Sequence, residues 1–124
     1  YAPLFVTAMV SVDATTPENG CLELAAGHHK RGLLGENWRP LSDADLEGVA
    51  FAPYPTAPGD AVFFDCYAPH RSAPNLTETP RRVLYVTYNR ASDGDHRLRY
   101  YADKRKSYPP DCEREPGRAY RYRV

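Results

Sequence analysis

The run Arg81-Arg82-Val83-Leu84-Tyr85-Val86-Thr87-Tyr88-Asn89 is the strongest constraint on the fold. β-Branched and aromatic side chains dominate it, and they suit a pleated, half-buried surface better than a helix. Two further runs read the same way. From Leu4 to Val12, Leu4, Val6, Ala8, Val10 and Val12 share one wholly apolar face, and Phe5, Thr7, Met9 and Ser11 share the other. That mixed second face suits a barrel interior meeting a ligand, and ordinary half-burial explains it equally well. Ala61 to Tyr67 follows the turn Pro58-Gly59-Asp60 and reads as a buried strand delivering Pro69-His70 at its far end. Cys21 to Ala25 reads as a short strand after the turn Pro17-Glu18-Asn19-Gly20, where Asn and Gly tolerate positive φ.

The segments between these strands are polar and broken by proline and glycine. From Gly27 to Thr56 the chain reads as loop, with one helical turn starting at Ser42 and capped with the help of Asp45. Arg71 to Pro80 reads as a second loop. The spacing of Leu98, Tyr101 and Arg105 predicts a short amphipathic helix from His96 to Ser107, stopped by Pro109-Pro110. Tyr120 to Val124 alternates aromatic and basic residues and reads as a terminal edge strand. Short strands between Gly/Pro turns, with one modest helix, indicate an all-β sandwich or jelly roll.

Composition narrows the function classes. A chain of 124 residues supports one core, and 16 basic against 16 acidic residues leave no electrostatic footprint of nucleic-acid or membrane binding. Basic residues crowd the C-terminal third among tyrosines, which reads as a solvated surface ahead of an anionic partner. Three cysteines, Cys21, Cys66 and Cys112, lack CxxC spacing, so reduced thiols in a cytoplasmic protein are the simplest reading. No apolar run approaches the ~20 residues of a membrane span. The first residues already read as strand, so the chain is expected to begin inside a domain.

The chemistry concentrates in Pro58-Gly59-Asp60, His70, Ser72, Asn75 and Pro80-Arg81. A histidine leaving one barrel strand and an arginine entering the next can both point inward, leaving room for a metal-bound ligand with a distal carboxylate. Arginine suits that carboxylate because its planar fork donates two parallel hydrogen bonds and keeps its charge. With Glu18-Asn19-Gly20-Cys21-Leu22, Gly27-His28-His29-Lys30 and His70-Arg71-Ser72-Ala73-Pro74-Asn75 up to Pro80-Arg81, the chain from about Met9 to Asn89 resembles the phytanoyl-CoA dioxygenase family of iron(II)- and 2-oxoglutarate-dependent oxygenases.

The resemblance implies a double-stranded β-helix, a cupin-like jelly roll, incomplete at its N-terminus and with a short C-terminal helix. Residues 1–124 would form the C-terminal part of a single oxygenase domain. It makes His70 an iron(II) ligand and Arg81 the partner of the distal carboxylate of the co-substrate 2-oxoglutarate, with Ser72 hydrogen-bonding the same group. Thr7, Met9 and Tyr85 are expected to line the substrate pocket, Met9 standing where many relatives have tryptophan. The implied activity is hydroxylation of a small-molecule substrate with release of succinate and carbon dioxide.

The segment Tyr100 to Arg105, ending Tyr108-Pro109-Pro110-Asp111, resembles bacterial members near the phosphonate hydroxylases. Its basic residues suit a small anion, while acyl-CoA, amino-acid-like and natural-product substrates stay open. The family's H-x-D motif, which carries the other two iron ligands, is not among these residues: none of His28, His29, His70 or His96 has an acid two positions on. Truncation of a longer enzyme is the expected reason. A non-catalytic jelly-roll binding module that has lost its iron is the alternative.

His28 and His29 are assigned no ligation, because adjacent loop residues rarely bind one ion. Asn75-Leu76-Thr77 matches a glycosylation pattern that is common by chance, and Asn75 is expected to brace its loop instead. Arg82, next to Arg81, is expected to face the other way. Oligomeric state is not legible in the sequence.

Overall fold

In the computed structural model, which describes residues 1–37 and 39–120, β1 (Phe5–Ser11) is the centre of one sheet. It pairs antiparallel with β4 (Ala61–Asp65) on one side and β6 (Val83–Asn89) on the other. A second three-stranded antiparallel sheet places β2 (Leu22–Leu24) between β3 (Ala52–Tyr54) and β5 (His70–Ser72). The chain crosses between sheets at β1 to β2, β3 to β4, β4 to β5 and β5 to β6, which is the winding of an incomplete double-stranded β-helix.

Register decides what lies between the sheets. Met9 stands opposite Val62 and Tyr85, Thr7 opposite Phe64 and Thr87, and Ser11 opposite Val83. Met9, Leu22, Leu24 and Phe64 form the buried cluster, with Tyr54, Val62, Ala68 and Val83 packed against it. The mixed face of β1 is therefore the interior one. Its wholly apolar face points outward, where Ala8 is buried but Val6, Phe63, Leu84, Val86 and Tyr88 are exposed.

At the end of β1 three hydroxyls close the interior in a chain. Ser11 Oγ lies 2.6 Å from Thr56 Oγ1, and Thr56 Oγ1 lies 2.7 Å from Thr15 Oγ1. An isolated bridge pairs Thr15 with Thr56. Each hydroxyl can donate and accept, so burying Ser11 and Thr15 leaves neither oxygen unsatisfied.

Two strands fall where the sequence reads as loop. β3 carries Pro53 opposite Glu23, and only its one bonded side is needed because it is an edge strand, the place where proline is tolerated. β5 begins at His70 itself. The Ser42 turn forms as expected: Ser42 N and Oγ donate to Asp45 Oδ2 at 2.8 and 2.7 Å, and Asp45 N donates back to Ser42 Oγ at 3.3 Å. It does not extend into a helix.

The helix α1 (Arg97–Ser107) has the expected span, but no residue of it is buried, and Leu98 is 76% exposed. The expected amphipathic packing is thus corrected: Leu98 and Tyr101 are too few to make an apolar stripe on a helix otherwise rich in charge. Its cations meet acids on the same surface, Arg99 and Lys106 at Asp103 and Arg105 at Glu113. Residues 121–124 of the expected terminal strand lie outside the described residues.

Arg82 does turn away from Arg81. Its Nε and Nη2 donate to the two oxygens of Asp13 at 2.8 and 2.9 Å, and its backbone N–H donates to Asp13 Oδ2 at 2.8 Å. These bonds hold the Asp13 carboxyl down, from 3.8 to about 2. A depressed carboxylate contributes stability that is present above its ordinary value and lost as pH falls through the folded one. Denaturant midpoints are accordingly expected to fall between about pH 4 and pH 2, more steeply in the native protein than in Asp13→Asn. The effect is modest because the pair is exposed.

Candidate active site

Asp65 ends β4 by turning the chain: Tyr67 N–H donates to Asp65 Oδ1 at 2.9 Å, and Ala68 N–H to the Asp65 carbonyl at 3.2 Å. The turn carries the chain into the other sheet, so His70 opens β5 rather than leaving β4, as the sequence had suggested. In β5, His70 stands opposite Leu24 and Ser72 opposite Leu22. Leu22 and Leu24 are buried, so their cross-strand partners also face inward. Arg71, between them, faces out to Glu23 at 2.5 Å, with its guanidinium 4.3 Å from the Phe51 ring centroid.

The His70 imidazole packs on Phe64, with ring centroids 4.8 Å apart, and its Nδ1 lies 3.0 Å from the Ala68 carbonyl. A carbonyl only accepts, so Nδ1 carries the proton of this bond, and in the neutral ring Nε2 is then the nitrogen with the lone pair. This tautomer is what a metal-binding imidazole requires, with the second nitrogen held by a backbone carbonyl. His70 itself is exposed.

Arg81 lies just before β6 and is half-buried. Its Nη1 donates to the Gly20 carbonyl, while its Nε is buried without a partner. A buried, unpaired guanidinium N–H is costly unless a ligand satisfies it, and a carboxylate is the group an arginine fork fits best. The expected co-substrate therefore fits this residue.

Of the residues expected to line a pocket, Thr7 and Met9 are closed off in the core, Met9 at 2% exposure, and Thr7 lies 3.3 Å from the Thr87 hydroxyl. Tyr85 is 51% exposed, across the strand pair from Met9. Partial burial pushes its phenol up, while the nearby charge of Arg81 works against that. Ser72 is exposed on the inward face of β5. Asn75 braces its loop as expected: Nδ2 donates to the Thr79 carbonyl at 2.8 Å, and Oδ1 accepts from Thr77 N–H and Oγ1 at 2.9 and 2.8 Å.

Sequence reasoning missed Gly20 as a neighbour of the site. The Asn-Gly pair signals the turn, but nothing local signals that its carbonyl receives Arg81 sixty-one residues on. Among the described residues, no three His, Cys, Asp or Glu side chains come together to hold a metal. His70 thus fits iron as one ligand of a set, and His28 and His29 form a 3-10 turn that joins no such cluster. No helix among the described residues is long and apolar enough to cross a membrane.

The family model described as phytanoyl-CoA dioxygenase matches residues 1–83. A methylphosphonate hydroxylase of Gimesia maris is 49% identical over 104 residues, covering 83% of this chain and 40% of the relative. A 2-aminoethylphosphonate dioxygenase from an uncultured bacterium is 39% identical over 129 residues, covering 93% and 44%. The crystal structure of EvdO2 from Micromonospora carbonacea var. aurantiaca complexed with 2-oxoglutarate superposes with a TM-score of 0.54 at 33% identity, over 68% of this chain and 37% of that one. The chain spans about two-fifths of the length of these curated relatives. The family match over most of the chain, together with identities of 39% and 49% in the curated relatives, leaves one assignment: the chain belongs to the phytanoyl-CoA dioxygenase family.

Proposed function

We propose that this chain is the C-terminal part of a cytoplasmic oxygenase that uses iron(II) and 2-oxoglutarate to hydroxylate a small organic substrate, releasing succinate and carbon dioxide. Two observations carry this reading: His70 lies on the inward face of β5 with Nδ1 held by the Ala68 carbonyl, and Arg81 has a buried, unpaired Nε. Two relatives are named for phosphonates, so small phosphonates are the first substrates to try. The cations of α1 do not argue for them, since several are already paired with Asp103 and Glu113.

In this reading His70 would hold iron through Nε2, with the remaining protein ligands supplied from outside these residues. Iron(II) with 2-oxoglutarate and dioxygen supplies the oxidising chemistry, which side chains alone do not provide. Arg81 holds the distal carboxylate, assisted by the Ser72 hydroxyl. The apolar wall of Met9, Leu22, Leu24 and Phe64 keeps water from that side of the site. Tyr85, partly exposed across the strand pair from Met9, can donate its phenolic proton to an anionic substrate.

The test is succinate formation by the full-length protein with iron(II), 2-oxoglutarate, dioxygen and methylphosphonate or 2-aminoethylphosphonate. Succinate that depends on every component is expected. No succinate across a broad substrate panel, together with no 2-oxoglutarate binding, would sink the reading in favour of a non-catalytic binding module.

A further inference from the structure

The proposed co-substrate arginine is not held by a side chain. Among the described residues its hydrogen-bond partner is the carbonyl of Gly20, which accepts from Nη1. In a guanidinium, Nε and Nη2 lie on one edge and point the same way, whereas Nη1 points off another. Binding Nη1 at Gly20 therefore orients the group and leaves the Nε–Nη2 edge as a two-donor fork. The neighbouring Arg82 displays that use of the edge, with Nε and Nη2 both on the Asp13 carboxylate. In Arg81 the same Nε is buried and unpaired.

Gly20 is itself tightly placed. Asn19 is 5% exposed, and its side chain ties the turn together: Oδ1 accepts from Thr16 N–H at 2.8 Å, and Nδ2 donates to the Ala14 carbonyl at 3.0 Å. Thr16 Oγ1 accepts from Asn19 N–H at 3.4 Å, and the Thr16 carbonyl accepts from Cys21 N–H at 2.8 Å. Gly20 adopts φ +79, and a Cβ there would overlap the Ala73 carbonyl oxygen and lie 3.2 Å from that of Pro74. The loop leaving His70 and Ser72 thus lies directly on Gly20, with its backbone where a side chain would have to be.

We propose that the Asn19–Gly20 turn is a positioning device for 2-oxoglutarate: Asn19 fixes the Gly20 carbonyl, which aims the Arg81 fork at the distal carboxylate. This rests on the functional reading above and adds to it residues that touch neither metal nor co-substrate. An arginine without this anchor keeps its charge but must be ordered when the ligand binds, so affinity falls through lost preorganisation. The effect belongs to 2-oxoglutarate and not to the metal.

The experiment is calorimetric titration of 2-oxoglutarate into full-length protein loaded with manganese(II), with no turnover required. Asn19→Ala is expected to raise the dissociation constant about tenfold and to leave manganese affinity unchanged. In an Arg81→Lys background the same change is expected to add little, because residues acting through one another are not additive. Thr16→Ala, which deletes the longest bond of the turn and the Thr16 hydroxyl's bond to the Glu18 carboxylate, is expected to give a smaller rise in the same direction and serves if Asn19→Ala does not fold. An unchanged constant in a folded variant overturns the inference, as does an equal rise in both backgrounds. Failure of the unsubstituted protein to bind 2-oxoglutarate overturns the functional reading itself.

Discussion

His70→Ala is expected to abolish 2-oxoglutarate turnover in the full-length protein and to lower its iron(II) affinity by more than the roughly 10- to 100-fold that loss of an outer hydrogen-bond partner costs. Nε2 is the group removed, and no histidine, cysteine, aspartate or glutamate cluster among the described residues can replace it. The fold should survive. His70 is exposed and gives up a stacking contact with Phe64 and one bond to Ala68, within the roughly 0.5–3 kcal/mol of ordinary substitutions. Succinate release, iron titration and the melting temperature separate the two effects. A variant that keeps turnover would remove His70 from the metal centre.

Arg81→Met is expected to weaken 2-oxoglutarate binding by roughly 30-fold or more, since truncating one partner of a buried, hydrogen-bonded charge pair costs about 2–5 kcal/mol. Methionine fills similar space but leaves the Gly20 carbonyl without its donor, so a stability loss of about 1–3 kcal/mol is expected alongside. Arg81→Lys should fall between Met and the native residue. It keeps the charge, yet a single ammonium cannot both reach Gly20 and present a two-donor fork. Direct binding measurements distinguish these outcomes. A 2-oxoglutarate affinity unchanged in Arg81→Met would assign the carboxylate to another residue.

The legible parts of the fold are those with a local cause. Seven-residue strands such as β1 and β6 repeat the two-residue alternation often enough to be read directly, and Pro58-Gly59-Asp60 and Asn19-Gly20 announce their turns. Asn75 was legible because its partners lie two and four residues away. β3 and β5 were not, because three residues carry too little periodicity without a turn signal such as the Asn-Gly that precedes β2, and β3 holds a proline. The helix was legible in span and not in packing, since span depends on local breakers while packing depends on which neighbours exist. Fold and site differ in the same way: His70 and Arg81 stood out by residue type, spacing and family resemblance, whereas the partners that orient them did not.

The sequence by itself determined the long strands and the turns, and it singled out an imidazole and a guanidinium as the expected site groups. Only the tertiary structure decided that the mixed face of β1 lies inside, that His70 enters from the sheet opposite β4, and that Gly20 receives Arg81. The physical reason is that periodicity distinguishes two faces of a strand without saying which one is covered. Burial is settled by the second sheet, through Leu22, Leu24 and Phe64 closing on Met9. A backbone carbonyl such as that of Gly20 is the same group at every position, so its role as an anchor arises only where distant segments of chain meet.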